Sequence, residues 1–361
     1  MKIIHCADLH LDSKMESNLD SEKARIRRDE LLDTYERMVH YAVEQQVAVI
    51  MFSGDVFDKP HVRKIARNRV LEQMYENPQI DFLYLQGNHD KVDFINTLDE
   101  EERPENLKIF SADDWVSYSY EEVVITGREI RDNNCNTLAT NLILDQSHCN
   151  IVMLHGQESD YMGKNQTYTI ALPDFKNKNI DYLALGHIHT YQSERLDDRG
   201  EYCYPGCLEG RGFDECGEKG FVLLEIKDNK ITSEFIPFAK RKLHVLPIDV
   251  TPQMKMPAII AAVEDALKDI SEVDLVKILL QGTTEMDFYM DTERLLRTFE
   301  ERLFFLKVED ATGIVVNYES FANDRSLKGE FVRLMQKQDM PEEKRSAIVE
   351  LGMKAILGEE I

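Results

Sequence analysis

The stretch IIHCADLHLD, residues 3–12, carries the strongest indication of the fold. It starts as an apolar run typical of a strand buried on both faces, and it then places Asp8, His10 and Asp12 close together. Ionisable groups at the end of a buried strand lose hydration unless they are paired or bind a metal. With the two-residue period of a strand, Asp8 and His10 would share one face while Leu9 points away. The stretch therefore predicts the first part of a site at the edge of a sheet.

Four further polar clusters follow short apolar runs, at Gly54–Asp58, Gly87–Asp90, His155–Gly156 and Gly186–His189. Stretches with helical spacing lie between the earlier runs, so the pattern predicts an α/β sandwich with sites at the carboxyl ends of its strands. Each cluster alone is most simply a turn or a structural histidine. Together they favour a metal site. Imidazole, carboxylate and carboxamide donors without thiolate suit manganese, iron or zinc.

Composition sets limits on location and partners. The 361 residues carry a formal net charge of -24. No apolar run approaches the roughly 20 residues of a membrane span and no signal peptide is visible, which predicts a cytoplasmic protein without membrane contact. Six cysteines without a C-x-x-C pair are interpreted as free thiols. Acidity disfavours direct binding of nucleic acid unless metals, a partner or the basic stretches 23–28 and 63–69 offset it. We interpret both stretches as solvated helix faces.

The pattern of the chain resets around residues 240–242, which predicts a second domain. We expect a domain over residues 1–240, in which residues 227–230 form a hairpin turn, then a smaller α+β unit over 241–322 and helices over 323–361. The predicted elements of the smaller unit are a strand at 243–249, a helix at 258–268, a strand at 275–280, a helix at 292–303 and a strand at 313–318. The last helices either bind a partner or pack on their own domain, and the sequence leaves both alternatives open.

The ordered motifs D-x-H, G-D-x-x-D, G-N-H-D, H-G and G-H-x-H span residues 8–189 and resemble the calcineurin-like metallophosphoesterase superfamily. The resemblance implies a four-layer αββα sandwich and two divalent metal ions, with a bridging hydroxide that attacks phosphorus. The implied ligands of one ion are Asp8, His10, Asp55 and His189, and those of the other are Asp55, Asn88, His155 and His187. The resemblance also implies that His89 protonates the leaving oxygen or stabilises charge on the phosphoryl group, and that Asp58 orients it. Asp12 and Asp90 are interpreted as supporting residues.

Within the superfamily, residues 3–12, 54–58 and the segment YPGCLEGRGFD at 204–214 resemble SbcD-type DNA repair exonucleases of the YhaO-like branch. The unit after residue 240 stands where this family has a capping domain. The resemblance implies a manganese-dependent DNA exonuclease, with endonuclease activity left open, that forms a homodimer and works with an SbcC-type coiled-coil ATPase. Two alternatives stay open: a phosphodiesterase or phosphatase acting on small nucleotides, and a non-enzymatic scaffold for the ATPase.

Overall fold

The computed structural model describes residues 1–16, 18–58, 62–90, 103–131, 134, 137–159, 168–285, 288–315, 318 and 321–357. It divides into two compact units, Met1–Lys242 and Leu243–Ile361. None of the helices in the described ranges is long and apolar enough to cross a membrane. Cys6, Cys149, Cys203 and Cys207 are free thiols, and Cys135 lies outside the described residues.

The first unit contains two six-stranded sheets. In spatial order, the strands of the first sheet are β14 (Lys230–Pro237), β13 (Gly220–Lys227), β1 (Lys2–Cys6), β2 (Val49–Ser53), β3 (Asp81–Leu85) and β4 (Leu107–Ile109). The strands of the second sheet are β11 (Gln192–Arg195), β12 (Glu201–Tyr204), β10 (Tyr182–Gly186), β7 (Cys149–His155), β6 (Val123–Gly127) and β5 (Val116–Tyr120). The central strands of both sheets are parallel. Antiparallel strands complete both edges of the second sheet and one edge of the first, whose other edge strand, β4, is parallel to β3. A short parallel pair is formed by β8 (Gln157–Glu158) and β9 (Thr169–Ile170).

The core of the first unit lies between the two sheets. Alternate strand residues such as Met51 of β2 and Ile151 of β7 belong to one buried apolar cluster. Helix α1 (Ser21–Glu44) covers the outer face of the first sheet, where Tyr35 packs near Phe52, and α2 (Lys64–Glu76) packs beside α1. In the described ranges, the outer face of the second sheet is covered by 3₁₀ turns at Ala139–Asn141 and Leu172–Phe175. The predicted α/β sandwich is confirmed.

The second unit alternates strands and helices. Its elements are β15 (Leu243–Val250), α3 (Met256–Ala266), β16 (Leu275–Glu285), α4 (Thr292–Phe299), β17 (Phe305–Asp310), β18 (Gly313–Val315), α5 (Leu327–Gln336) and α6 (Glu342–Leu357). All its strand pairs are parallel, with β16 between β15 and β17. Sequence reasoning missed β17, because Leu306 is its single buried residue and the strand therefore carries no alternating apolar signal.

The basic stretch at residues 23–28 was interpreted as a solvated helix face, but one of its arginines is buried. Arg27 is buried, and its guanidinium donates to Glu30 at 2.8 Å and to Glu209 at 3.1 Å. Arg27 shares a helix face with Leu31 and Thr34, both of which are buried. The interpretation was wrong at this position because a distant glutamate neutralises the arginine inside the protein.

Candidate metal centre

The loops that follow β1 and β2 run side by side beyond the first sheet. The backbone N–H of Asp8 donates to the Gly54 carbonyl and that of His10 to the Asp55 carbonyl, both at 3.0 Å. Strand β1 ends at Cys6, and Asp8, His10 and Asp55 have φ values of +51°, +44° and +52°. The predicted two-residue alternation was therefore wrong. Left-handed backbone conformations, which cost on the order of 1 kcal/mol each, aim these side chains.

One group of donor atoms brings Asp8, His10 and His189 together, with one ligand atom from each residue within 4.8 Å of the other two. The Nε2 atoms of His10 and His189 lie 3.2 Å apart, and His189 Nε2 lies 3.8 Å from a carboxylate oxygen of Asp8. Both imidazoles thus present nitrogens to the same point, beside a carboxylate. This arrangement suits a divalent cation.

A second group joins Asp8, Asp55 and His155 within the same distance. The Nε2 atom of His155 lies 3.4 Å from Asp55 Oδ2 and 2.9 Å from Asn88 Oδ1, and His187 Nδ1 lies 3.0 Å from the same amide oxygen. The Asp55 oxygen that faces His155 is also 3.9 Å from His10 Nε2. Asp55 therefore belongs to the second group and also faces an imidazole of the first.

His89 occupies a different position from these buried donors. Its side chain is 46% exposed, while its backbone N–H donates to Asp55 Oδ1 at 2.8 Å. Oxygen Oδ1 of Asp58 lies 3.7 Å from His89 Nδ1 and only 3.2 Å from His10 Nδ1. The Asp58 carboxylate consequently faces two imidazoles, and it lies closer to the buried one.

The electrostatics of the centre are dominated by burial and by the charge of Asp55. Burial lowers the pKa of His155, but the Asp55 carboxylate outweighs burial and raises this pKa to about 9. Burial and the neighbouring His155 charge lower the pKa of His187 to about 4, and burial lowers that of His10. Metal ions bind unprotonated imidazole, so an ion entering this centre has to displace the proton of His155.

The donor set fits two divalent ions. It contains four imidazoles, two carboxylates and one carboxamide, and the two groups share Asp8 and adjoin Asp55. Oxygen and imidazole nitrogen donors without thiolate are typical of manganese, iron and zinc sites with catalytic roles. The structure thus brings together all seven side chains predicted as ligands, with His89 and Asp58 beside them.

Asp90 and Asp12 connect loops around the centre. The Asp90 carboxylate accepts backbone N–H bonds from Val56, Phe57 and Gly87 at 2.8–3.2 Å. Burial, with the nearby Asp55 charge, raises the pKa of Asp90 to about 7. Asp12 accepts bonds from the backbone N–H and the Nε of Arg63. These contacts agree with the prediction that both aspartates support the centre.

Sequence reasoning missed two residues next to the centre. Glu215 Oε1 lies 2.6 Å from His189 Nδ1, and Arg211 donates to Asp58 at 3.0 Å and to Glu215 at 3.1 Å. Both lie in or just after the segment at 204–214 that resembles the SbcD type. The sequence motif identified this segment, but no spacing rule predicts that its residues contact His189 or Asp58.

A model of the calcineurin-like phosphoesterases matches residues 1–191, more than half of the chain. The chain belongs to this family. The predicted family and the predicted class of enzyme, a phosphoester hydrolase, are thereby confirmed, and this family uses a binuclear divalent metal centre.

Relatives align over most of the chain. The metallophosphoesterase YhaO of Bacillus subtilis is 26% identical over 341 residues, which cover 86% of this chain and 82% of YhaO. The DNA double-strand break repair protein Mre11 of Sulfolobus acidocaldarius is 22% identical over 332 residues, covering 83% and 81%. The SbcD component of the nuclease SbcCD of Staphylococcus saprophyticus is 24% identical over 288 residues, covering 68% and 71%. The chain is thus similar to the SbcD type that its motifs resemble.

Proposed function

We propose that this phosphoesterase is a manganese-dependent DNA exonuclease that acts in DNA repair. One observation carries the proposal: the alignment with Mre11 extends over 332 residues, whereas the family model ends at residue 191. The similarity to a DNA repair protein therefore includes residues beyond the segment that the family model matches. The same similarity favours DNA over small nucleotides as the substrate.

In this proposal, seven residues hold the metal ions. Asp8, His10, Asp55 and His189 would hold one ion, and Asp55, Asn88, His155 and His187 the other. Two ions bound there would supply a nucleophile from water at neutral pH and neutralise charge on the phosphate. The proposed sharing of Asp55 is supported by its Oδ2 atom, which faces His10 of the first group and His155 of the second.

His89 is proposed to donate a proton to the leaving oxygen of the phosphodiester. Its half-exposed ring can reach a substrate, while its backbone bond to Asp55 fixes it at the centre. General acids of this kind contribute about 10²- to 10⁴-fold to the rate. Asp58 would orient the ring of His89 and, through its closer contact, that of His10.

The net charge of the chain and the name of a similar protein support the proposed partners. A net charge of -24 opposes contact with DNA phosphates away from the metal ions. A partner with a basic surface would offset this repulsion. The name SbcCD denotes a complex of which the similar SbcD protein is one component, which supports an SbcC-type ATPase as the partner. We propose a homodimer within that assembly.

The proposal is tested with purified protein and end-labelled duplex and single-stranded DNA, with manganese or with chelator. We expect manganese-dependent shortening of labelled DNA that is absent with chelator and at least about 100-fold slower in His89→Ala. Turnover of bis-p-nitrophenyl phosphate without any DNA cleavage, even with the partner ATPase added, would instead support a phosphodiesterase for small nucleotides. Full DNA cleavage in chelator would overturn the metal-dependent mechanism.

A further inference from the structure

The two groups of donors differ in the partners of the imidazole nitrogens that face away from the metal position. In the first group, the outer nitrogens of both imidazoles face carboxylates: His189 Nδ1 lies 2.6 Å from Glu215 and His10 Nδ1 lies 3.2 Å from Asp58. In the second group, His155 Nδ1 faces the backbone carbonyl of Ser53 at 2.8 Å. A carboxylate behind a ligating imidazole fixes its ring and raises its basicity. The first group is therefore the one backed by negative charge.

Arg211 connects the two backing carboxylates. Its Nη1 donates to Asp58 Oδ1 at 3.0 Å, and its Nη2 donates to Glu215 Oε1 at 3.1 Å. The backbone N–H of Arg211 also donates to the other oxygen of Glu215 at 2.7 Å. A planar guanidinium holds two such partners at fixed directions, which a lysine ammonium cannot do. One cation thus sets the relative positions of two carboxylates that belong to distant parts of the chain.

The segment that carries Arg211 is itself anchored in the protein interior. Two residues before it, buried Glu209 accepts from Arg27 at 3.1 Å and from the hydroxyl of Thr34 at 2.8 Å. Arg27 also donates to the Gly210 carbonyl at 2.9 Å. Breaking such a buried pair is costly, so the segment is held firmly against α1. Arg211 and Glu215 can therefore resist displacement of the imidazole that they face.

We propose that Arg211 and Glu215 are positioning residues for the first metal position. Glu215 fixes the His189 ring, and Arg211 holds Glu215 and Asp58 in register, so that the imidazoles of His189 and His10 converge. This inference rests on the proposed metal centre and adds an asymmetry to it. The ion held by His10 and His189 depends on this pair, whereas the ion held by His155 and His187 does not.

The inference is tested by manganese binding, measured by titration calorimetry on the full chain. Glu215→Gln keeps the shape of the side chain and removes its charge. We expect one of two binding constants to weaken by about 10- to 100-fold, while the other changes by less than about threefold. Arg211→Lys keeps the positive charge and should weaken the same constant. Asp214→Asn, an exposed neighbour in the same segment, is the matched control and should change neither.

Two further readouts make the outcome decisive. Electron paramagnetic resonance should show a coupled manganese pair in the wild type and isolated ions in Glu215→Gln at limiting metal. Thermal unfolding without metal should show that the variants are folded. Two ions bound with unchanged constants in both variants would overturn the positioning role alone. Fewer than two ions bound by the wild type would overturn the proposed metal centre itself.

Discussion

Asp55→Asn should abolish the unusual basicity of a buried histidine. The Asp55 carboxylate lies 3.4 Å from His155 Nε2 and raises the pKa of His155 to about 9 against the opposing effect of burial. Asparagine keeps the shape and removes the charge. Burial is then opposed by the weaker effects of the Asp8 charge and the Ser53 carbonyl, so we expect the pKa of His155 in the metal-free variant to fall back towards its ordinary value of about 6.5.

The magnitude follows from linkage between protonation and folding. A rise from about 6.5 to about 9 corresponds to about 3 kcal/mol, because each pKa unit is worth about 1.4 kcal/mol. The folded pKa of His155 lies above the unfolded one. Its contribution to the free energy of unfolding is therefore fully present below pH ~6.5 and is lost as pH rises through ~9. The wild type should lose about 3 kcal/mol from this source between pH 6 and pH 9.5, and the variant should not.

The measurement is urea unfolding of metal-free wild type and variant at both pH values, with imidazole titration by NMR to assign the change to His155. The matched control is Asp145→Asn, which removes the carboxylate from an exposed aspartate–histidine pair with His148. This control should leave the pH dependence of unfolding unchanged. If Asp55→Asn kept the pH dependence of the wild type, the electrostatic coupling of Asp55 and His155 would be refuted.

Three further predictions concern catalysis and packing. His89→Ala should keep two equivalents of manganese and cleave DNA at least about 100-fold more slowly, because the ring serves proton transfer. Metal analysis and the cleavage assay on the same sample test this prediction, and loss of metal would contradict the role of His89 as a residue that binds neither ion. Gly186→Ala should lower the free energy of unfolding by about 3 kcal/mol, since an added β-carbon would lie 1.9 Å from a backbone oxygen of another strand. Gly313→Ala, whose nearest neighbours would lie at 3.9 Å, should change it little, and equal urea midpoints for both variants would refute this reasoning. Arg27→Met should cost about 3 kcal/mol in urea unfolding because it removes the cation that pairs with buried Glu209, while Glu30 keeps its pair with Arg241. Arg25→Met at an exposed pair should cost well under 1 kcal/mol, and equal losses would contradict the buried network.

The convergence of the site residues within each sheet could be predicted from the sequence, because parallel strands bring their carboxyl ends to one edge of a sheet. Residues 179 positions apart meet across the two sheets: the backbone N–H of His187, which follows β10 of the second sheet, donates to Asp8, which follows β1 of the first, at 2.9 Å. The hairpin turn at residues 227–230 could also be predicted from the sequence. Asp228 and Asn229 tolerate the positive φ values that such a turn requires, and they adopt +52° and +57°.

Other features could not be predicted, for physical reasons. The direction of the Asp8 and His10 side chains depends on backbone conformations that no periodicity encodes. The contact of Glu215 with His189 depends on where an irregular segment lies in three dimensions, and a single glutamate carries no pattern. Burial of Arg27 depends on Glu209, which is 182 residues away. Pattern reasoning identifies strand ends and misses long-range pairs of single residues.

The proposed mechanism depends above all on one centre that holds two metal ions between side chains from distant parts of the chain. Anomalous diffraction from crystals soaked in manganese would locate these ions. We expect two peaks roughly 3.5 to 4 Å apart with the Asp55 carboxylate between them, one beside His10 and His189 and the other beside His155 and His187. A single peak, or two peaks elsewhere in the molecule, would contradict the binuclear centre.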